Sequence, residues 1–522
     1  MPKCTIDGRE VEVAPGTTVI KAALQMGIHI PHFCWHPDLS VDGNCRMCLV
    51  EVEKMPKLQI ACNTVITDGM VVRTESEKAA EAHRTTLEFL LLNHPIDCPV
   101  CDQAGECYLQ DQYMDHGLHD SKVEIEEKVK KRKVVDLGPI VLDAERCVLC
   151  SRCLRYEKEV TGTNSLEFQN RGDHTQIGSF QNRPIAHAYA GNLADVCPVG
   201  ALLSRDFRFK MRVWFLEPTE SVCPGCSTGC NVYLDHRDGE LQRFRPRRNP
   251  DVNKSWLCDP GRSLYNEVGS SARLTGARIK AASGWEGIAT DEAFAVIAEK
   301  LRYAGKDAAF LATPLATNEE LYAFRALADA TGGLLDFRVG DPQKRVREKL
   351  DEILQHTDRN PNTQGCLDLG MGRSGVDTIL KACAAGSLKA LVLQGPELLR
   401  APEARDAIAK VPFVAVMATH EEPLLERAQM VLPAAMWAET DGTFTNFQRR
   451  VQRIRRAFAA PGLARTRFEL AAGILKQLGK PLAATSAREL FVELAKTTPD
   501  YAGLDHRGVG PMGKPLPLQE SA

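Results

Sequence analysis

What this chain of 522 residues lacks narrows its function before any motif is considered. No apolar run approaches the ~18 residues of a membrane-spanning helix, so any membrane association is expected to come through partners. No excess of charge exists either: 65 Lys and Arg face 68 Asp and Glu. A net charge of −3 gives no general attraction to nucleic acid or anionic lipid. The one basic run, Lys128–Lys133, follows the acidic Glu124–Glu127 and reads as a solvated linker face. No secretory leader pattern precedes the first cysteines, and no twin arginine stands near the N-terminus. Thiols without an export signal imply a reducing compartment, where clustered cysteines read as metal sites and not as a disulfide framework.

What is present is cysteine in a strict arrangement. Of 18 cysteines, 15 fall with one histidine into four groups between positions 34 and 258, leaving Cys4, Cys366 and Cys383 outside them. The first is Cys34-x10-Cys45-x2-Cys48-x13-Cys62. Its tight Gly43–Cys48 loop turns backbone N–H groups towards sulfur, as a [2Fe–2S] cluster requires. The second is His94-x3-Cys98-x2-Cys101-x5-Cys107, which alone would equally suit zinc. Set between two cluster signatures, it reads as a [4Fe–4S] site with imidazole at one corner. The third, Cys147-x2-Cys150-x2-Cys153 with a distant Cys197-Pro198, is the bacterial ferredoxin pattern with its last ligand displaced. Only one such run exists, so Cys197 is expected to complete the same [4Fe–4S] cube. The fourth, Cys223-x2-Cys226-x3-Cys230 with Cys258, suits a further [4Fe–4S] cluster, with a zinc ribbon as the alternative. His29, His32 and His36 surround Cys34 but read as packing or surface residues. Several clusters in series make a conductor of electrons. No catalytic residue is expected.

Around these groups the chain divides. Residues 1–78 predict a ferredoxin-like β-grasp domain: a hairpin at Asp7-Gly8, a helix over Thr18–Met26 stopped by Gly27, and a strand after Cys48. Residues 79–216 form a loop-rich [4Fe–4S] region behind a helix from Glu75 to Asn93, and 217–275 a short cysteine-bearing unit. From 276 to 505 alternating βα signals predict a doubly wound α/β region. They are strands at Ala308–Ala312, Leu388–Leu393, Phe413–Met417 and Met430–Leu432, a capping box at Thr317–Glu320 for a helix to Thr331, and helix starts near Pro402 and Glu421. The fold class is thus multidomain α+β and α/β. Residues 506–522, rich in Gly and Pro, are expected to be a disordered tail.

The four groups in this order resemble the large iron–sulfur subunit of the peripheral arm of respiratory complex I. In bacteria this is the G subunit of NADH–quinone oxidoreductase, and in mitochondria the 75 kDa subunit. Glu439–Asn446 and Arg450-Val-Gln452 resemble a motif of that family's molybdopterin-oxidoreductase-like region. The resemblance implies one [2Fe–2S] and two [4Fe–4S] clusters on the main electron path, to which the Cys223 group adds a third [4Fe–4S] site, and partners among the FMN/NADH-binding and other peripheral-arm subunits. It implies a peripheral place on the cytoplasmic side of the bacterial inner membrane, held by those subunits. Electrons would pass from the Cys34 group to the Cys147 group and then the His94 group, on towards quinone. Mitochondrial relatives lack the fourth cluster, so Cys223, Cys226, Cys230 and Cys258 suggest a bacterial chain. Gln448-Arg449 departs from the Glu-Gly often found there, and the downstream region is shorter than in many bacterial members. The alternative is an electron-transfer subunit of an NAD-reducing hydrogenase or a related molybdenum-enzyme complex. An active molybdenum site would need more domain than follows Cys258, and an iron-only hydrogenase would need four further cysteines where only Cys366 and Cys383 remain.

Overall fold

A computed structural model of the chain describes residues 1–117, 128, 131, 133–337 and 349–517. Most of the Lys128–Lys133 run and its acidic neighbours lie outside the described residues. The chain separates into two compact units, Met1–Leu216 and Glu217–Ala522.

The first unit opens with β1 (Lys3–Ile6), β2 (Arg9–Glu12), β3 (Leu49–Val52), β4 (Gln59–Ile60) and β5 (Met70–Arg73), in sheet order β2-β1-β5-β3-β4. The β1–β2 hairpin turns at Asp7 (φ 47°) and Gly8 (φ 78°), both left-handed as a two-residue turn between twisted strands demands. Helix Val19–Gln25 lays Val19, Ile20, Ala22 and Ala23 onto Ile6, Val50, Val52 and Val72, and Gly27 (φ 70°) ends it. Helix Glu77–Leu91, capped by the Ser76 hydroxyl accepting from the Ala79 N–H, leads to His94. Short strands then punctuate the loops: β6 (Val135–Asp136), β7 (Ile140–Leu142), β8 (Glu167–Gln169), β9 (Gln176–Gly178) and β10 (Leu202–Ser204). The order β10-β7-β6 anchors the segments leading into Cys147 and out of Cys197.

The second unit begins with the antiparallel sheet β11 (Glu217–Val222), β12 (Asn231–Arg237) and β13 (Glu240–Pro246). A larger sheet follows, built from β14 (Arg278–Ala281), β15 (Gly284–Gly287), β16 (Ala308–Ala312), β17 (Leu334–Phe337), β18 (Ala390–Leu393), β19 (Val414–Ala418) and β20 (Met430–Pro433). Its order is β15-β14-β20-β19-β18-β16-β17, parallel from β17 to β20. Every residue of β16, β18, β19 and β20 is buried, because alternate residues feed two cores. Phe310, Val392, Met417 and Leu432 meet helices Thr290–Ala304, Asn318–Thr331 and Arg467–Gln477 on one face. Leu311, Leu391, Leu393 and Val416 meet helix Val376–Ala384 and its neighbours on the other. The Thr317–Glu320 capping box forms in full, and Gly332 closes that helix in the left-handed conformation. The three ungrouped cysteines, Cys4, Cys366 and Cys383, belong to the apolar cores.

To the parallel strands of the larger sheet the hairpin β14–β15 adds an antiparallel edge. Two expectations need correction. The helix expected from Glu421 is a single 3-10 turn, Pro423–Arg427, because Ala428 (φ −87°, ψ 154°) already turns the chain extended towards β20. Nor does a disordered tail begin at 506. His506–Val509 is a short helix, and Lys514–Pro515 (β23) pairs with β22 (Arg450–Ile454), which pairs in turn with β21 (Gly442–Thr445). The anchor is Arg449. It adopts φ 58°, a conformation disfavoured by ~1–2 kcal/mol for a residue with Cβ. Ion pairs with Asp500 (2.6 Å) and Asp368 (3.3 Å) oppose that strain, and hydrogen bonds run to the carbonyl of Pro517 and from the N–H of Leu516. Residues 518–522 lie outside the described residues.

Candidate cluster-binding centres

The Cys34 group is drawn together by the loop between helix Val19–Gln25 and β3. Gly43 (φ 71°) and Arg46 (φ 58°) fold that loop tightly enough to bring Cys45 and Cys48 to Cys34, while the turn after β4 supplies Cys62. The Cys34 thiol contacts those of Cys45 and Cys62, and Cys48 contacts Cys62, so all four sulfurs converge. Hydrogen bonds from the Cys45 and Cys62 thiols pull the Cys34 thiol well down, and the donors are pushed up in return. The N–H groups of Phe33 and Cys34 point at Cys45 Sγ, at 3.5 and 3.4 Å. Of the nearby histidines, His32 is buried with Nδ1 2.7 Å from the Ile30 carbonyl, and burial lowers its pKa to about 4. That is a packing role.

The Cys147 group wraps one short loop and closes it from afar. Leu149 (φ 52°) and Ser151 (φ 61°) flank Cys150 in left-handed conformations, aiming the Leu149 N–H at Cys147 Sγ (3.4 Å). Cys197 follows helix Asn192–Val196 and receives backbone hydrogen bonds from Val199, Leu202 and Ala201. Cys147, Cys150, Cys153 and Cys197 line one cavity with Ile177, Val199 and Leu202. It encloses only about 10 Å³, so its fit to a polyatomic group rests on the donors and not on room.

In the second group a turn brings the Cys101 N–H to the carbonyls of Asp97 (2.9 Å) and Cys98 (3.2 Å). Cys107 stands at the N-cap of helix Tyr108–His116, where the backbone N–H groups of Gln110 and Leu109 favour its ionised form. The three thiols lie within one another's electrostatic reach, and burial raises Cys107 to about 11. His94 shares the neighbours Asp97 and Arg146 with Cys101. Burial lowers its pKa to about 4, so its imidazole is neutral at neutral pH and a nitrogen lone pair is available to iron. Gly200 lies against this group: a Cβ there would stand 2.4 Å from Cys101 Sγ.

Cys223, Cys226, Cys230 and Cys258 surround a cavity of about 120 Å³, also lined by Gly225, Gly261 and Arg359. That is about ten times the room one water needs, more than a single ion closed by four thiolates would leave. A Cβ on Gly261 would sit 3.1 Å from the sulfurs of both Cys223 and Cys258, so only glycine leaves the cavity open there. The loop is held by the Glu439–Gln452 stretch. Asn446 Nδ2 donates to the Thr228 carbonyl (3.0 Å), the Phe447 N–H to Ser227 (2.9 Å), and Gln452 Nε2 to Gly229 (2.8 Å).

Burial and neighbouring thiols push Cys147 up to about 12, Cys150 and Cys258 to about 11, and Cys153, Cys223 and Cys230 upward as well. Four such groups cannot ionise together unless a strongly cationic centre, such as iron or zinc, joins them. Among the described residues no group of three or more His, Cys, Asp or Glu is set to hold a single metal ion. Sequence reasoning passed over Gly200, Arg152 and Arg155. The two arginines do stand inside the Cys147–Cys153 run and just beyond it.

Comparison with known proteins agrees with this layout. Family models match for a 2Fe-2S iron-sulfur cluster binding domain (residues 3–77), the NADH-ubiquinone oxidoreductase-G iron-sulfur binding region (83–122) and the ferredoxin-like domain of NADH-quinone oxidoreductase subunit 3 (138–203). The molybdopterin oxidoreductase Fe4S4 domain matches residues 216–270, and molybdopterin oxidoreductase matches 352–477. The NADH-quinone oxidoreductase G subunit of Streptomyces coelicolor is 40% identical over 357 residues, 67% of this chain and 42% of that protein. The G subunit of Rickettsia bellii is 39% identical over 58% of this chain and 44% of its own length. Among solved structures, a chain of the NAD+-reducing [NiFe]-hydrogenase in the H2-reduced state is 32% identical, with a TM-score of 0.37, covering 41% of this chain and 91% of that one. The matches span less than half the length of these two curated relatives. With about 40% identity to the Streptomyces protein and family models matched from residue 3 to residue 477, the chain belongs to the NADH-quinone oxidoreductase G-subunit family.

Proposed function

We propose that the chain is an electron-relay subunit of a proton-pumping NADH–quinone oxidoreductase, with one [2Fe–2S] cluster on Cys34, Cys45, Cys48 and Cys62. Two [4Fe–4S] clusters would sit on Cys147, Cys150, Cys153 and Cys197 and on His94, Cys98, Cys101 and Cys107, and a third on Cys223, Cys226, Cys230 and Cys258. When bound, the clusters take up and release single electrons. Electrons would arrive from an FMN/NADH-binding subunit and cross the Cys34, Cys147 and His94 groups in that order towards quinone. One observation carries this reading. Cys34 and Cys150 belong to a single apolar cluster with Phe33, Met47, Leu109 and Val199, and Cys45, Cys107, Cys147 and Cys197, each partly buried, pack against it. Cysteines of three groups thus share one water-poor core, which keeps electron donors close and ions out. The Asn44 side chain, within the Cys34 loop, also donates to the Leu149 carbonyl beside Cys150 (3.1 Å).

The α/β region would serve assembly and hold no pterin. In such folds a ligand enters where strand order reverses, here between β16 and β18. Gln394 occupies that crevice, accepting from the Thr313 N–H (3.2 Å) and donating to the Glu320 carbonyl (3.0 Å), while the Thr313 hydroxyl donates to Glu397. No helix among the described residues is long and apolar enough to cross a membrane, which is consistent with attachment through other peripheral-arm subunits.

Iron content tests the reading directly. One [2Fe–2S] and three [4Fe–4S] clusters require about 14 iron atoms per chain, matched by acid-labile sulfide. Stoichiometric zinc with little sulfide would overturn it. His94 gives a second test. His94→Cys is expected to keep a cluster whose potential falls, since a charged thiolate replaces a neutral imidazole, and His94→Ala is expected to disturb loading and slow electron flow. Unchanged redox titrations of both variants would place His94 off the iron.

A further inference from the structure

We propose that Arg152 and Arg155 form a cationic clamp between the Cys34 and Cys147 groups, fixing the separation of the two cages and raising the reduction potentials of the clusters they hold. This rests on the cluster reading above. Both residues lie on helix Arg152–Tyr156, three positions apart and therefore on one side of it. Arg152 is 3% exposed. Its Nη2 donates to the Trp35 carbonyl (2.6 Å), next to Cys34, and its Nη1 to the Val196 carbonyl (3.4 Å), next to Cys197. Its guanidinium lies 5.2 Å from the Tyr108 ring centre, and its Nε meets no hydrogen-bond partner. Arg155 reaches the same two loops. Nη2 donates to the carbonyls of Cys34 and Cys150, Nη1 to the Ser40 carbonyl, and Nε to Ser151 Oγ (3.0 Å), which itself donates to Asp42.

Among the described residues neither guanidinium pairs directly with a carboxylate. Burying such a cation without a counter-charge costs heavily, and every direct hydrogen bond found for it goes to a neutral oxygen. The thiolates supply the missing anion. Both guanidinium groups lie against the backbone of these cages, at the carbonyls of Cys34, Cys150 and Val196. A thiolate-ligated cluster gains negative charge on reduction, so a fixed cation beside it stabilises the reduced state. Because the same planar groups bind carbonyls of both loops, they also hold those loops at one distance.

The test is a redox titration of the full chain, followed by electron paramagnetic resonance, after iron and sulfide have been counted in the wild type. A wild type without sulfide would sink the cluster reading itself, whereas a loaded one isolates this inference. Arg155→Gln, at a half-exposed position, is expected to keep its iron while the Cys34 and Cys147 signals titrate at lower potential and their mutual spin coupling changes. Arg155→Lys restores the charge and should return both midpoints towards wild type. Wild-type midpoints in Arg155→Gln, or equal shifts in the Gln and Lys variants, would overturn the clamp. Should Arg155→Gln fail to load, Arg155→Lys decides: loading at near wild-type midpoints supports the proposal and equal loss refutes it. Arg152→Gln is expected to show the larger shift where it folds.

Discussion

Arg273→Met is expected to lower the stability of the chain by about 3–5 kcal/mol, the cost of leaving a buried charge without its partner. Arg273 and Glu439 meet through two parallel hydrogen bonds of 2.7 Å, with side chains 6% and 1% exposed. Arg273 also donates to the carbonyls of Val268 (3.1 Å) and Thr419 (3.2 Å), and Glu439 accepts from the Met436 N–H (2.8 Å). The pair therefore ties the segment after the Cys258 turn to the start of the Glu439–Gln452 stretch. Urea unfolding should show the loss, and Arg273→Met with Glu439→Gln should recover part of it, since the neutral amide can still accept from Met436. A midpoint unchanged in the single variant would show that water reaches the pair and removes the expected cost.

The double variant Cys226→Ala, Cys230→Ala should have a comparably large effect on assembly and a small one on turnover. About four iron atoms should be lost per chain. The loop from Cys223 to Cys230 then keeps its hydrogen bonds to Leu354, Asp358, Asn446, Phe447 and Gln452 around a cavity of about 120 Å³. Thiolate bonds are the main staple of this small loop-rich segment, so subunit stability and incorporation into the complex should fall. On the proposed reading the α/β region holds no pterin for this cluster to serve. Complex that does assemble should thus oxidise NADH with quinone at a near-normal rate per flavin. A large loss of turnover in fully assembled complex would put this cluster on the current path.

Local rules made much of this legible. The Asp7-Gly8 turn, the Thr317–Glu320 box and the helix before His94 depend on residues within a few positions of one another, and the structure forms all three. The cysteine spacings likewise announced three of the sets that the structure gathers, around Cys34, Cys147 and Cys223. What stayed hidden depends on distant partners. Nothing near Arg449 says that Asp368 and Asp500 will hold it left-handed, and with it the segment up to Pro517. The charges of Arg152 and Arg155 are plain in the sequence, but the lack of acidic partners emerges only once the Trp35 and Val196 carbonyls come to meet them.

The stretch Cys197–Gly200 has a consequence for how such a chain can change length. Its first residue belongs to the Cys147 set, its second accepts from the Tyr108 N–H just after Cys107 (3.0 Å), and its last lies bare against Cys101 Sγ. Four consecutive residues thus carry the spacing of two cages at once. A one-residue insertion or deletion there cannot be absorbed by bulging, because any shift that preserves one cage displaces the other by a full ~3.8 Å step. Like the ligand loops themselves, this one must keep its count.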